Sequence, residues 1–130
     1  MELRSDRRYG QTHEWYRQEG SVIVLGVTEQ GQDLLGDVVY VQLPRVGAQV
    51  ALGSPCVTLE SVKAASDVIS PVDGIVIAVN ETLEDSPELI NDDPLDSGWI
   101  LKIEPNGAPD EWMSADAYQQ MLAAGRDGFQ

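Results

Sequence analysis

A chain of 130 residues is long enough to bury one core without disulfide or metal staples, and its 22 acidic against 8 basic side chains give a formal charge of -14. That balance repels nucleic acid and anionic lipid and favours basic protein surfaces or cationic small groups. One cysteine, Cys56, excludes an internal disulfide and suits a reducing cytoplasm, and no apolar run approaches the roughly 20 residues of a membrane span.

Residues 1–8 mix arginines with acids and are too short before Trp15 and Val22 for a separable transit peptide, so they read as a frayed terminus. Residues 21–27 are rich in β-branched side chains and predict a strand. Thr28 then caps a short helix through Asp33, Leu34 and Leu35 that Gly36 stops. Residues 38–43 and 55–59 follow as strands, and 68–79 as another, through Ile69, Val72, Ile75, Val76 and Ile77. Ser86-Pro87-Glu88 reads as an N-cap with proline at the first helical position. Residues 99–103 add a short strand. A last helix opens at Ser114, carries Asp116 in its first turn, repeats Ala117, Tyr118, Met121 and Leu122 at helical spacing, and ends at Gly125. Many short strands between turn residues predict an all-β sandwich or flattened barrel with a few short helices. The expected organisation is one domain over 1–130, with a β core from about 20 to 104 and a C-terminal helix over 114–124.

Lys63 and Lys102 are the two lysines of the chain. Lys102 falls in an alternating strand, where a solvent-facing residue with no special task is expected. Lys63 lies in Glu60-Ser61-Val62-Lys63-Ala64-Ala65-Ser66-Asp67, between two strand segments and ahead of Ser70-Pro71-Val72-Asp73-Gly74. It therefore crowns a tight turn, which pushes its four-carbon stem into solvent within reach of another enzyme. This run resembles the lipoylation site of the glycine cleavage system H protein family. The resemblance continues in His13-Glu14-Trp15, Leu35-Gly36-Asp37-Val38-Val39, Val79-Asn80-Glu81, Glu88-Leu89-Ile90-Asn91 and Gly98-Trp99, nearly the whole chain. Biotin carriers typically set Met on both sides of their lysine, and lipoyl domains of 2-oxoacid dehydrogenases set Asp before it. Val62 and Ala64 fit neither pattern.

The resemblance implies a barrel-sandwich hybrid like that of lipoyl domains, and lipoate in amide linkage to Lys63. It implies a non-catalytic carrier that takes the aminomethyl group of glycine from a pyridoxal-phosphate-dependent glycine decarboxylase to a tetrahydrofolate-dependent aminomethyltransferase, and then meets dihydrolipoyl dehydrogenase. A lipoyl or octanoyl transferase, or a lipoate ligase, would attach the group. A monomer in a bacterial-like cytoplasm is expected. About twelve bonds at roughly 1.25 Å each give such an arm a reach of about 14 to 15 Å, enough to enter a partner's cleft. Glu14 and Asp67 match acidic positions of the family that line a groove sheltering the loaded arm, and Thr12 matches a hydroxyl position there. A carboxylate within about 4 to 6 Å would hold the carried amine protonated and slow loss of the one-carbon unit. The alternative within the same family is a lipoate depot that donates lipoyl groups to other acceptor domains.

Other residues suggest less. His13, the only histidine, could serve a serine in a small hydrolase, but no Gly-x-Ser-x-Gly elbow accompanies it, and a structural histidine is the plainer expectation. One His and one Cys do not make a zinc site. The acids Glu81, Glu84, Asp85, Glu88, Asp92 and Asp93 form either a solvated loop or a surface that steers the chain onto basic partners. Cys56, among apolar neighbours, reads as a buried, inert thiol.

Overall fold

The structure is a computed structural model that describes residues 3–4, 6–10, 12–106 and 112–124. Within them the strands are β1 (Arg8–Tyr9), β2 (Glu14–Glu19), β3 (Val22–Val27), β4 (Val38–Gln42), β5 (Gln49–Val50), β6 (Pro55–Ser61), β7 (Ala65–Ile69), β8 (Gly74–Val79) and β9 (Leu101–Pro105). The helices are α1 (Glu29–Leu35), α2 (Thr82–Asp85), α3 (Leu89–Asp92) and α4 (Ala115–Ala123). Six strands form one sheet in the order β1-β2-β3-β9-β8-β5, and three form a second in the order β4-β6-β7. Every pairing is antiparallel and neither sheet closes on itself, so the expected all-β class holds as two packed, open sheets.

Strand β3 shows how the sequence sets this arrangement. Its residues Ile23, Val24, Leu25, Gly26 and Val27 are all buried, because the strand is covered on both faces. Ile23, Leu25 and Val27 point into the main core with Val57, Leu59, Leu101 and Ile103. Val24 points the other way, into a second cluster with Tyr9, Trp15, Leu95 and Tyr118. Gly26 is required there, because a Cβ at that position would clash with the Trp15 ring. Strand β6 has the simpler alternation of a half-covered strand, with Val57 and Leu59 inside and Glu60 outside.

Two helices cap as the sequence predicts. Thr28 Oγ1 accepts from the Gly31 N–H at the start of α1, and Ser114 Oγ accepts from the Ala117 N–H at the start of α4. Gly36 ends α1 at φ 76°, a left-handed conformation that favours glycine. The expected stop at Gly125 lies outside the described residues.

Three expectations change. Residues 68–79 are not one strand: β7 ends at Ile69 and β8 begins at Gly74, in different sheets. Between them Pro71 lacks an N–H for a ladder and the Ser70 hydroxyl donates to the Val72 carbonyl at 2.7 Å, which fixes a turn that carries the chain across. Ser86 does not cap the following helix. It closes α2 instead, its N–H donating to the Thr82 carbonyl, while Glu88 occupies the N-cap of α3. The sheet also starts earlier than residue 20, because β1 and β2 pair ahead of β3. Glu14–Glu19 is polar in composition, and only the tertiary cover over Trp15 and Tyr16 makes it a strand.

Candidate functional site

Lys63 occupies the crest of the β6–β7 hairpin, with Glu60 opposite Ala65 and Leu59 opposite Ser66 below it. The turn is organised by one hydroxyl. Ser61 Oγ accepts from the Lys63 and Ala64 N–H groups, each at 3.2 Å, and donates to the Ala64 carbonyl at 3.1 Å. The Val62 N–H donates to the Asp37 carbonyl at 3.0 Å, which ties the crest to the segment between α1 and β4. Lys63 is exposed, and its stem lies over Gly36: a Cβ on that glycine would come 3.2 Å from Lys63 Cε. Val62 beside it is 68 % exposed. A lysine so presented is open to modification from solvent.

A narrow cleft opens next to this hairpin. One wall carries Thr12, His13 and Glu14 with Val27, Gly31 and Leu35 of the β3–α1 region; the other carries Leu59, Ser66, Asp67 and Val68. The structure thus brings Thr12, Glu14 and Asp67 into one site. The cavity volume is about 10 Å³, room for about one water.

Glu14 is 2 % exposed, so its carboxyl is largely stripped of solvent. Burial raises its pKa above the usual carboxylate range, opposed by donors that favour the charged form. The Thr12 hydroxyl, 2.5 and 2.6 Å from the two oxygens, donates to the group, and the Tyr16 hydroxyl donates to Oε1 at 3.1 Å. Tyr16 is itself pushed to a higher pKa by burial and by the neighbouring carboxylate, so it stays a donor. Its ring packs 4.8 Å from that of Trp112. Gly10 leaves space for the pair, since a Cβ there would clash with the Tyr16 hydroxyl and come 2.7 Å from Glu14 Oε1. Asp67 is exposed, and its Oδ1 accepts from Thr58 Oγ1 at 2.9 Å.

His13 is buried at the back of the cleft, its Nδ1 2.5 Å from the Tyr118 hydroxyl. A tyrosine partner of this kind suits a structural histidine. Cys56 is half-buried rather than fully buried. Burial pushes its thiol up to about 12, which keeps it protonated and unreactive. Lys102 is also more engaged than expected, 3.1 Å from Glu19 Oε1 and 5.4 Å from the Trp99 ring centroid. Sequence reasoning missed Tyr16, Gly10 and Ser66. The signal available for Tyr16 was its i+2 spacing from Glu14, which in a strand puts both side chains on one face.

An exposed lysine on a hairpin crest, beside a cleft with a buried carboxylate, is the layout of a carrier domain that presents a tethered group. The sequence profile of the family described as Glycine cleavage H-protein matches residues 7–125. A glycine cleavage system H protein of Thermus thermophilus is 47% identical over 124 residues, covering 94% of this chain and 97% of that one. One from Saccharophagus degradans is 52% identical over 106 residues, covering 81% and 82%. The crystal structure of a glycine cleavage system H protein from Mycobacterium marinum superposes with a TM-score of 0.86 at 35% identity, covering 93% of this chain and 99% of that one. The chain belongs to the glycine cleavage H-protein family.

Proposed function

We propose that the chain works as the H protein of the glycine cleavage system, with lipoate carried on Lys63. The observation that supports this most directly is the exposed Lys63 crest, held by Ser61 and Asp37 beside the Glu14 cleft. The residues fit such a group. Val27, Leu35, Leu59 and Val68 offer apolar surface for a hydrocarbon stem and dithiolane, and Thr12, Glu14 and Asp67 offer polar groups for what the arm carries. Joined to Lys63 by an amide, lipoate would supply a redox-active disulfide head able to take up the aminomethyl group.

The chain's own residues hold, steer and protect. Amide formation removes the ammonium charge of Lys63, so its stem can lie against apolar surface at little cost. Glu14 and Asp67 face the cleft from opposite walls, and a carried ammonium between them is favoured over the neutral amine. Thr12 and Tyr16 keep the Glu14 carboxylate oriented and favour its charged form. With an empty cavity of about 10 Å³, the walls must part to admit the arm. The protein performs no bond-making of its own in this reading. It is the substrate of an attaching enzyme, a lipoyl or octanoyl transferase or a lipoate ligase, and of three others: the glycine-decarboxylating, aminomethyl-transferring and dihydrolipoyl-oxidising subunits. The surplus of acids speeds encounter with basic rims on those partners. A bacterial cytoplasm, where its thiol stays reduced, is the proposed setting.

The depot alternative is the weaker reading, because the relatives are named for glycine cleavage. Glycine–bicarbonate exchange with a purified decarboxylating subunit tests the choice. The lipoylated chain should support exchange and Lys63→Arg should not; a chain that accepts lipoate yet supports no exchange would be a depot.

A further inference from the structure

Tyr118 belongs to α4, far along the chain from the lysine motif, yet it is fully buried and its hydroxyl reaches the back of the cleft. That hydroxyl is 2.5 Å from His13 Nδ1 and 2.8 Å from Thr28 Oγ1. Thr28 Oγ1 also accepts from the Gly31 N–H at 3.0 Å, and the Thr28 N–H donates to the His13 carbonyl at 3.0 Å. Each hydroxyl has one proton to give and lone pairs to receive; with Thr28 donating to Tyr118 and Tyr118 donating to His13 Nδ1, both hydroxyl protons of the run are accepted while Thr28 Oγ1 still receives the Gly31 N–H. His13 has φ 68°, a left-handed conformation that persists in a non-glycine residue only where the surroundings over-determine it.

We propose that Tyr118 is a positioning residue that locks the segment 12–14 and α1 into one rigid wall of the cleft, so that Glu14 keeps its aim when the cleft opens. This rests on reading the cleft as the shelter of the tethered arm. Both ends of the hydrogen-bonded run, His13 and Gly31, line that cleft. The facing wall, with Leu59 and Asp67, belongs to β6 and β7 in the other sheet. Opening therefore falls between the sheets and not within the braced wall. The Tyr118 ring is held separately, stacked on Tyr9 with centroids 5.0 Å apart and planes at 10°. Bracing and packing thus differ by a single oxygen atom.

Tyr118→Phe removes that atom and keeps the ring. In the unlipoylated variant, amide hydrogen exchange at Thr28 and Gly31 should quicken about fivefold relative to amides at the centre of β3 and β9. Uniform acceleration along the chain, or none, would show packing only and overturns the proposal. On the lipoylated chain loaded with an aminomethyl group, the half-life of the loaded arm should shorten about fivefold, and Tyr9→Phe should leave it unchanged. Glu14→Gln is run beside them. If Glu14→Gln shortens the half-life and Tyr118→Phe does not, the brace alone is overturned; if neither shortens it, the shelter reading fails and the proposal falls with it. Should Tyr118→Phe not fold, Thr28→Val breaks the same run from its other end and is read by the half-life of the loaded arm, since it also removes the α1 cap and quickens Gly31 exchange on that ground alone; an unchanged half-life in Thr28→Val overturns the brace.

Discussion

The side-chain amide of Asn91 donates to the Gly36 carbonyl at 2.8 Å, joining α3 to the end of α1 across 55 positions of chain. The same side chain accepts from the Val38 N–H at 2.9 Å and donates to Gln32 Oε1 at 3.1 Å. Gly36 to Val38 is the segment on which the Lys63 crest rests, through the Asp37 carbonyl and the Val62 N–H. Asn91 therefore sets the platform under the lysine without touching it.

Removing that amide leaves the Gly36 carbonyl and the Val38 N–H without these partners in a partly covered site. Asn91→Ala should lower the unfolding free energy by about 1–3 kcal/mol, read from urea denaturation. It should also slow acylation of Lys63 by an attaching enzyme. Asn91→Asp keeps the acceptor for Val38 but sets a carboxylate oxygen against the Gly36 carbonyl and Gln32 Oε1, so it should cost at least as much as Asn91→Ala on both scales.

Gly10→Ala should cost about 1–3 kcal/mol, because the new methyl meets the Tyr16 hydroxyl and Glu14 Oε1 well inside contact distance. Chemical denaturation of Gly10→Ala beside an exposed control such as Gln18→Ala checks this. Equal midpoints for the two would show that the Glu14 pocket yields freely to an extra methyl.

Glu14 makes the chain's stability depend on pH in a set direction. Its folded pKa lies above the ordinary value of 4.5, so the native state holds its proton more tightly than the unfolded chain. Its contribution to stability is fully present below the unfolded pKa and is lost as pH rises through the folded one. Glu14→Gln should therefore flatten this part of the profile and gain on wild type as pH rises above 4.5, with the two converging in more acidic buffer. Thermal melts across that range give the answer, and a wild-type advantage that grows with pH would show that the fold favours the ionised Glu14 carboxylate instead.

Lys63→Arg should leave the fold intact, with an unfolding free energy within about 0.5 kcal/mol of wild type, because the side chain is exposed. The variant should stay unacylated by intact mass in cells that acylate the wild type. Lys102→Arg should be acylated normally.

The lysine crest was legible because its cues are local: a turn between two strand-like runs, with Ser61 to organise it. The caps at Thr28 and Ser114 were legible for the same reason, each side chain bonding an N–H three residues on. Ser86 misled because the same cap signature can close one helix as well as open the next, and the short α2 ahead of it has no apolar periodicity to betray it. The grouping of Thr12, Glu14 and Asp67 followed from a family likeness, not from spacing, since nothing in a sequence places residue 67 against residue 14. Tyr118 read only as one apolar position of a helix. Its hydroxyl acts on residues 105 and 90 positions away, and such a pairing is set by tertiary packing alone.

The aromatic contact between Trp112 and Tyr16 gives the molecule a built-in optical probe. Tyr16 bonds Glu14 and its ring packs against that of Trp112, centroids 4.8 Å apart and planes tilted by 43°, so a change in the carboxylate alters the polarity and quenching around one indole. Trp15 and Trp99 lie elsewhere, and with both replaced by phenylalanine, emission from the remaining indole becomes a label-free meter of whether the cleft is occupied.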